Sequence, residues 1–259
     1  WTTRMGKDNV AETILKASGV AAEELPGPVH IGVPAGIGST FAGHSSESFS
    51  FLHFEKKTAL EISSESMKFV KRRFKKAGKP LLAVGLTAVR AGIKSLLLNL
   101  AEKYNLPVVL TPMAKGLFPE NHPLYAGVLF HALSNHVAQT YLEADLVIGI
   151  GYDPVEFNYE EWMPRVPLLH FCNRPADVDR DVIPDVTDVL GDLKLSVSEL
   201  LTLDCPAKKW NSNLIESRKQ EMFRLLEPPG ESFGPRAVMK GLREVLPENG
   251  ILTVDVGAH

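Results

Sequence analysis

Leu146-Val147-Ile148-Gly149-Ile150-Gly151 is the stretch whose reading decides the fold. An uninterrupted apolar run closed by glycine reads as a strand covered on both faces, and such strands belong to parallel sheets flanked by helices. The same signature occurs in Leu81-Leu82-Ala83-Val84, closed by Gly85, and in Pro107-Val108-Val109-Leu110. Pro167-Leu168-Leu169-His170-Phe171 reads as a fourth strand and 186–190 as a fifth. Helical patterns separate several of these runs. Ser63 or Ser64 caps a helix reaching about Ala77, and 89–104 carries Ile93, Leu96, Leu97 and Leu100 at helical spacing. Ser134 is expected to cap a helix to about Glu143, and 193–203 closes the series. The stretch 111–127, with Pro112, Pro119 and Pro123, reads as a loop. Strands separated by helices of roughly 10–15 residues imply crossovers and a doubly wound α/β domain with a parallel sheet.

Outward from this block the chain changes character. Asp8 can cap a helix bearing Val10, Ile14, Leu15 and Ala17, and 29–33 reads as a short strand after Pro26-Gly27-Pro28. The stretch from Pro34 to about Ile62 keeps no period and is expected to pack through Phe41, Phe49, Phe51 and Phe54. Beyond Cys205, 208–226 is a polar helical stretch ended by Pro228-Pro229-Gly230. Ser232 is expected to cap a helix with Pro235 in its first turn and Val238, Leu242 and Val245 along it, followed by a strand over 251–254. A helix with one strand builds no core of its own, so each flank reads as a remnant of a larger sheet. Trp1 and His259 accordingly look like cut ends. The expected domains are 1–38, a linker 39–62, the sheet domain 63–204, a linker 205–231, and 232–259.

Composition narrows the function. The 259 residues are 44% apolar and 23% charged, an ordinary globular balance that excludes disorder. A net charge of −3 lacks the basic bias of a nucleic-acid binder. No apolar run approaches the roughly 20 residues of a membrane span. Two cysteines, Cys172 and Cys205, without metal-type spacing fit a reduced, cytoplasmic chain.

Candidate chemistry is sparse. Gly149-Ile150-Gly151 and Gly85 stand at strand ends, where open α/β sheets bind ligands. They read either as close approaches to a nucleotide or as tight strand exits, since the full dinucleotide fingerprint is missing. Gly36-Ile37-Gly38-Ser39-Thr40 lacks the lysine of a phosphate loop. Lys68, Lys71, Arg72, Arg73, Lys75, Lys76 and Lys79 read as a solvated helix end rather than as a site for an acidic partner. His131 and His136 miss the spacing that puts two ligands on one helix face, and the adjacent Glu160 and Glu161 diverge. No catalytic constellation assembles within the chain.

The order of segments resembles the thiamine-diphosphate (ThDP)-dependent enzymes of the acetolactate synthase superfamily. The likeness rests on Leu25-Pro26-Gly27-Pro28-Val29-His30-Ile31-Gly32-Val33-Pro34, similar to the end of that family's pyrimidine-binding domain. It rests also on Lys79-Pro80-Leu81-Leu82-Ala83-Val84-Gly85, on 107–127 with Lys115-Gly116 and Phe118-Pro119-x-x-His122-Pro123, and on Gly151-Tyr152-Asp153-Pro154-Val155-Glu156-Phe157, all similar to its central domain. Asp255-Val256-Gly257-x-His259 resembles the opening of its pyrophosphate-binding domain.

The resemblance implies a Rossmann-like central domain between remnants of two catalytic domains. It implies a parent that uses ThDP and Mg²⁺ to decarboxylate a small 2-oxo acid and join the enamine to a second carbonyl, as in making acetolactate from two pyruvates. The cofactor serves as electron sink. The family's catalytic glutamate and its Gly-Asp-Gly metal motif fall outside these residues, so no catalytic residue and no metal ligand is expected here and the segment alone is expected to be inert. Gly191-Asp192-Leu193 only imitates the metal motif. Val256, Gly257 and His259 match the Val-Gly-Gln-His that approaches the ThDP diphosphate, with Ala258 in place of glutamine. The arginines of the flavin-binding segment are missing from 151–157, so FAD is not expected, and Gly85, Thr111 and Gly151 are left as a vestigial nucleotide pocket. Implied partners are the remaining domains of the same enzyme and identical subunits. Two other readings stay open: a stand-alone nucleotide-binding module, which calorimetry with ADP, FAD and NAD would reveal, and a partner-binding domain, which sedimentation without ligand would reveal.

Overall fold

A computed structural model describes residues 1–22, 27–39, 62–129, 134–152, 165–226, 233–253 and 255. The chain divides into two compact units, Trp1–Lys219 and Gln220–His259.

The first unit is built on a six-stranded sheet. Its strands are β3 (Pro80–Val84), β4 (Val108–Leu110), β5 (Tyr125–Val128), β6 (Leu146–Ile150), β7 (Leu168–Cys172) and β8 (Val186–Leu190). They lie in the order β5-β4-β3-β6-β7-β8, and every neighbouring pair is parallel. The chain starts in the middle at β3, winds outward to β5, returns to lay β6 on the free side of β3, and winds outward again. That reversal is the doubly wound topology, and its switch point lies between β3 and β6. Every residue of β3, β4, β6 and β7 is buried, as continuous apolar strands covered on both faces require.

Helix α2 (Ser64–Lys76) is capped by Ser63, whose hydroxyl accepts from Ser66 N at 3.1 Å. It buries Met67, Val70 and Phe74. Phe74 meets Tyr104 of α4 (Lys94–Tyr104) edge-on at 5.0 Å, and α4 packs against α6 (Leu193–Leu201). α5 (Ser134–Leu142) packs on β5.

Four expectations for this unit need correction. The single helix over 89–104 is two, α3 (Leu86–Ala91) and α4, because Gly92 takes a left-handed turn (φ 63°) that caps α3. The expected loop over 111–127 holds a 3₁₀ turn, Pro112–Ala114, and its end enters β5. β5, Tyr-Ala-Gly-Val, escapes an apolar-run reading because its residues alternate between buried and half-buried; its register with β4 slips at Val108/Val109, and Gly127 adopts φ 111°. The polar helix expected from 208 begins at Ser212, as α7 (Ser212–Leu225), with Asn211 Oδ1 accepting from Asn213 N at 3.1 Å. Ser134 is itself the first helical residue of α5, and the residue before it lies outside the described ones.

The amino-terminal part forms its own two-stranded parallel sheet, β1 (Thr2–Arg4) with β2 (His30–Gly32), joined through α1 (Val10–Ala21). Asn9, not Asp8, precedes α1, and its Oδ1 accepts from Gly6 N at 2.7 Å. The apolar residues of α1 are mostly exposed: Val10, Ile14 and Leu15 lie open while Ala17 is buried. The expected packing of Phe41, Phe49, Phe51 and Phe54 lies outside the described residues.

In the second unit, α8 (Pro235–Val245) starts behind Gly234 with Pro235 at its first position and buries no residue. Ser232 and Pro228-Pro229-Gly230 lie outside the described residues. The strand expected over 251–254 is not formed at 251–253, which run as irregular backbone without a pairing strand among the described residues. A strand exists only through its ladder, so apolar propensity alone does not make one.

Candidate functional site: the crevice at the switch point

The topology brings three sequence-selected residues to one end of the sheet. Gly85 follows β3, Thr111 follows β4 and Gly151 follows β6, all at carboxyl ends of adjacent strands. Each backbone N–H is engaged across the sheet. Gly85 N donates to Ile150 O at 3.2 Å, Thr111 N to Val84 O at 2.9 Å, and Gly151 N to Phe171 O at 2.9 Å. Gly151 adopts φ 54°, and its carbonyl accepts from Thr87 N at 3.3 Å. A Cβ at 151 would stand 2.4 Å from Ala88 N and 2.9 Å from Thr87 C, so only glycine fits. Thr111 is fully buried and its Oγ1 has no hydrogen-bond partner. Val256, Gly257 and His259 lie outside the described residues.

Beside the crevice sits a polar knot that no sequence motif announces. His170, on β7, is 2% exposed, and its Nε2 donates to Tyr152 O at 2.6 Å, just past Gly151. Its Nδ1 lies 3.3 Å from Asp188 Oδ1, close enough for attraction but not aligned as a hydrogen bond. His170 and Asp188 are register partners on β7 and β8. Asp188 also accepts from Ala176 N at 2.7 Å and from Arg180 Nη2 at 2.7 Å. Burial alone would raise the Asp188 carboxyl, but the His170 imidazole beside it and the hydrogen bonds from Ala176 N and Arg180 Nη2 outweigh it and hold it down at about 2. A carboxyl depressed on folding contributes stability above its ordinary pKa and loses it as pH falls through about 2. Asp188→Asn is therefore expected to cost about 1–2 kcal/mol at neutral pH. It should also flatten the acid limb of stability between pH 4 and 2, as read by urea unfolding at a series of pH values. An unchanged acid limb would contradict this.

Several charges elsewhere are tied into the fold. Within the basic run, Arg73 binds Asp185 at 2.6 and 3.0 Å, Lys71 lies 3.7 Å from Glu199, and Lys79 reaches Glu143 at 2.7 Å. Glu143 also accepts from Arg218, and the bonds from Lys79 and Arg218 lower its carboxyl pKa. Lys68, Arg72, Lys75 and Lys76 are exposed. Asp192 of the imitation metal motif accepts from Leu195 N at 2.9 Å and so caps α6. Among the described residues neither cysteine forms a disulfide; Cys172 is buried and Cys205 half-buried. Among the described residues no group of three His, Cys, Asp or Glu side chains could hold a metal, and no helix is long and apolar enough to cross a membrane.

Comparison with known proteins fits this architecture. Residues 67–200 match the family model of the thiamine pyrophosphate enzyme central domain. Over 275 aligned residues the chain is 30% identical to the acetolactate synthase large subunit of Parasynechococcus marenigrum, covering 100% of the chain and 43% of that protein. It is 24% identical to acetolactate synthase isozyme 3 large subunit of Escherichia coli K12, covering 97% of the chain and 46% of that protein. The fold superposes on benzoylformate decarboxylase of Polynucleobacter necessarius with a TM-score of 0.68 at 22% identity, over 96% of this chain and 45% of that one. The chain thus spans less than half the length of the relatives it matches. Its parallel doubly wound sheet and the family match over that sheet establish that the chain belongs to the thiamine pyrophosphate enzymes, through their central domain.

Proposed function

We propose that the chain is part of a ThDP- and Mg²⁺-dependent cytoplasmic enzyme that decarboxylates a 2-oxo acid and ligates the product to a second carbonyl, as acetolactate synthase does with pyruvate. The observation that carries this reading is the 30% identity running along the whole chain to a large subunit of that name. ThDP would supply the electron sink for the carbanion. The described residues offer no cluster fitted to Mg²⁺, so no chemical step is assigned to them. Val256, Gly257 and His259 are proposed to approach the ThDP diphosphate. The sheet domain is proposed to space the two catalytic domains and to line the subunit interface, with Gly85, Thr111 and Gly151 as the vestige of a nucleotide crevice.

The exposed apolar faces support a role among neighbours. Val10, Ile14 and Leu15 stand open on α1 in the first unit. Val238, Met239 and Val245 stand open on α8 in the second. Such faces fit the remaining domains of the same enzyme and identical subunits. A decarboxylation assay on the complete enzyme carrying this segment tests the reading. Release of CO₂ from pyruvate that requires both ThDP and Mg²⁺ is expected, and failure to turn over any 2-oxo acid would contradict it.

A further inference from the structure

We propose that the switch-point crevice of this chain is a sealed packing joint, closed to nucleotide phosphates, in which Gly151 serves as the weld between the two halves of the sheet. The inference deepens the reading of Gly85, Thr111 and Gly151 as a vestige and rests on it.

A doubly wound sheet binds a nucleotide at its switch point by offering unspent N–H groups at a glycine turn and at the amino end of the following helix. Here those groups are spent on the protein itself. Gly85 N is bonded to Ile150 O, and Gly151 N to Phe171 O. At the start of α3, Thr87 N is bonded to Gly151 O and Ala88 N to Gly85 O. The place a phosphate oxygen would take at Thr87 is held by a backbone carbonyl. α3 is also only six residues long, stopped by Gly92, so it adds little aligned dipole.

Space closes the crevice as firmly as hydrogen bonding does. At Gly151 a single added carbon would stand 2.4 Å from Ala88 N, 2.9 Å from Thr87 C and 3.0 Å from Leu193 Cδ1. Three elements therefore converge on one glycine: the end of β6, the first turn of α3 and the first residue of α6. The glycine that would let a pyrophosphate approach the backbone instead lets α3 approach it. Thr111 Oγ1 is the polar atom left over, and with Thr111 fully buried no ligand reaches it unless the joint opens.

Amide NMR of the 259-residue chain titrated with ADP, FAD and NAD tests this. The amides of Gly85, Thr87, Thr111 and Gly151 are expected not to shift at ligand concentrations up to about 1 mM, the weak end of ordinary binding. Shifts confined to other residues also support the proposal, because they place the nucleotide away from the joint. A saturable shift of any of these four amides would overturn it. Gly151→Ala provides a second arm. Its melting temperature should fall by about 5 °C or more, as expected for overpacking a closed joint in a domain of this size. An unchanged melting temperature would show room at the joint and would also overturn the proposal. Neither readout depends on ThDP turnover, so failure here is distinct from failure of the enzymatic reading.

Discussion

Trp210→Ala is expected to lower the stability of the sheet unit by about 4 kcal/mol, the usual cost of emptying a large aromatic site. Trp210 is 7% exposed, and its Nε1 donates to Pro80 O at 2.7 Å, at the first residue of β3. Lys79 places its ammonium over the ring at 5.2 Å. The backbone around Trp210 is tied down as well. Asn105 Nδ2, at the end of α4, donates to Trp210 O at 2.8 Å and to Lys208 O at 3.1 Å. Lys208 N donates to Tyr104 O at 2.8 Å, and Lys209 N to Gly78 O at 3.0 Å. The stretch 208–210 therefore straps the amino-terminal end of the sheet to α2 and α4. Urea unfolding followed by far-ultraviolet circular dichroism measures the effect. A loss below about 1 kcal/mol would show that the strap contributes little.

Lys208→Met should cost about 2–3 kcal/mol by a different route. Lys208 is 7% exposed, and its Nζ donates to Phe74 O at 2.6 Å and Ala77 O at 3.0 Å. These are carbonyls at the end of α2, which no residue of the helix itself satisfies. The ammonium also lies 4.4 Å from the centre of the Phe74 ring. Methionine keeps the hydrophobic stem and most of the volume, so the measured loss isolates the polar head. Lys208→Arg, which keeps the charge and the donors, should recover part of it. Equal unfolding midpoints for Lys208→Met and the unsubstituted chain would refute the capping role.

These two residues show where sequence reading runs out. The buried strands are legible because their apolar runs are local: 81–84 and 146–150 carry their burial in their composition. Parallel order follows, because strands covered on both faces need helical crossovers. Lys208 and Trp210 carry no such signal. A lysine reads as solvated unless the carbonyls it will cap are known, and those lie in α2, far upstream in sequence. His170 and Asp188 are invisible for the same reason, since their pairing depends on the register of β7 with β8. The candidate site was legible as position but not as state. Gly85 and Gly151 announce a strand end approached closely, and only the packed backbone shows that α3 makes the approach.

The flanks teach the complementary lesson. The helical periods of α1 and α8 are real, yet most of their large apolar residues stand exposed, and 251–253 lacks a ladder. Periodicity states which face wants burial, not what buries it.

The chain is proposed to support catalysis without performing it. The most direct test supplies the purified 259-residue chain with ThDP, Mg²⁺ and pyruvate and measures CO₂ release. No turnover above the cofactor-only background is expected, whereas saturable CO₂ production by the chain alone would contradict the account.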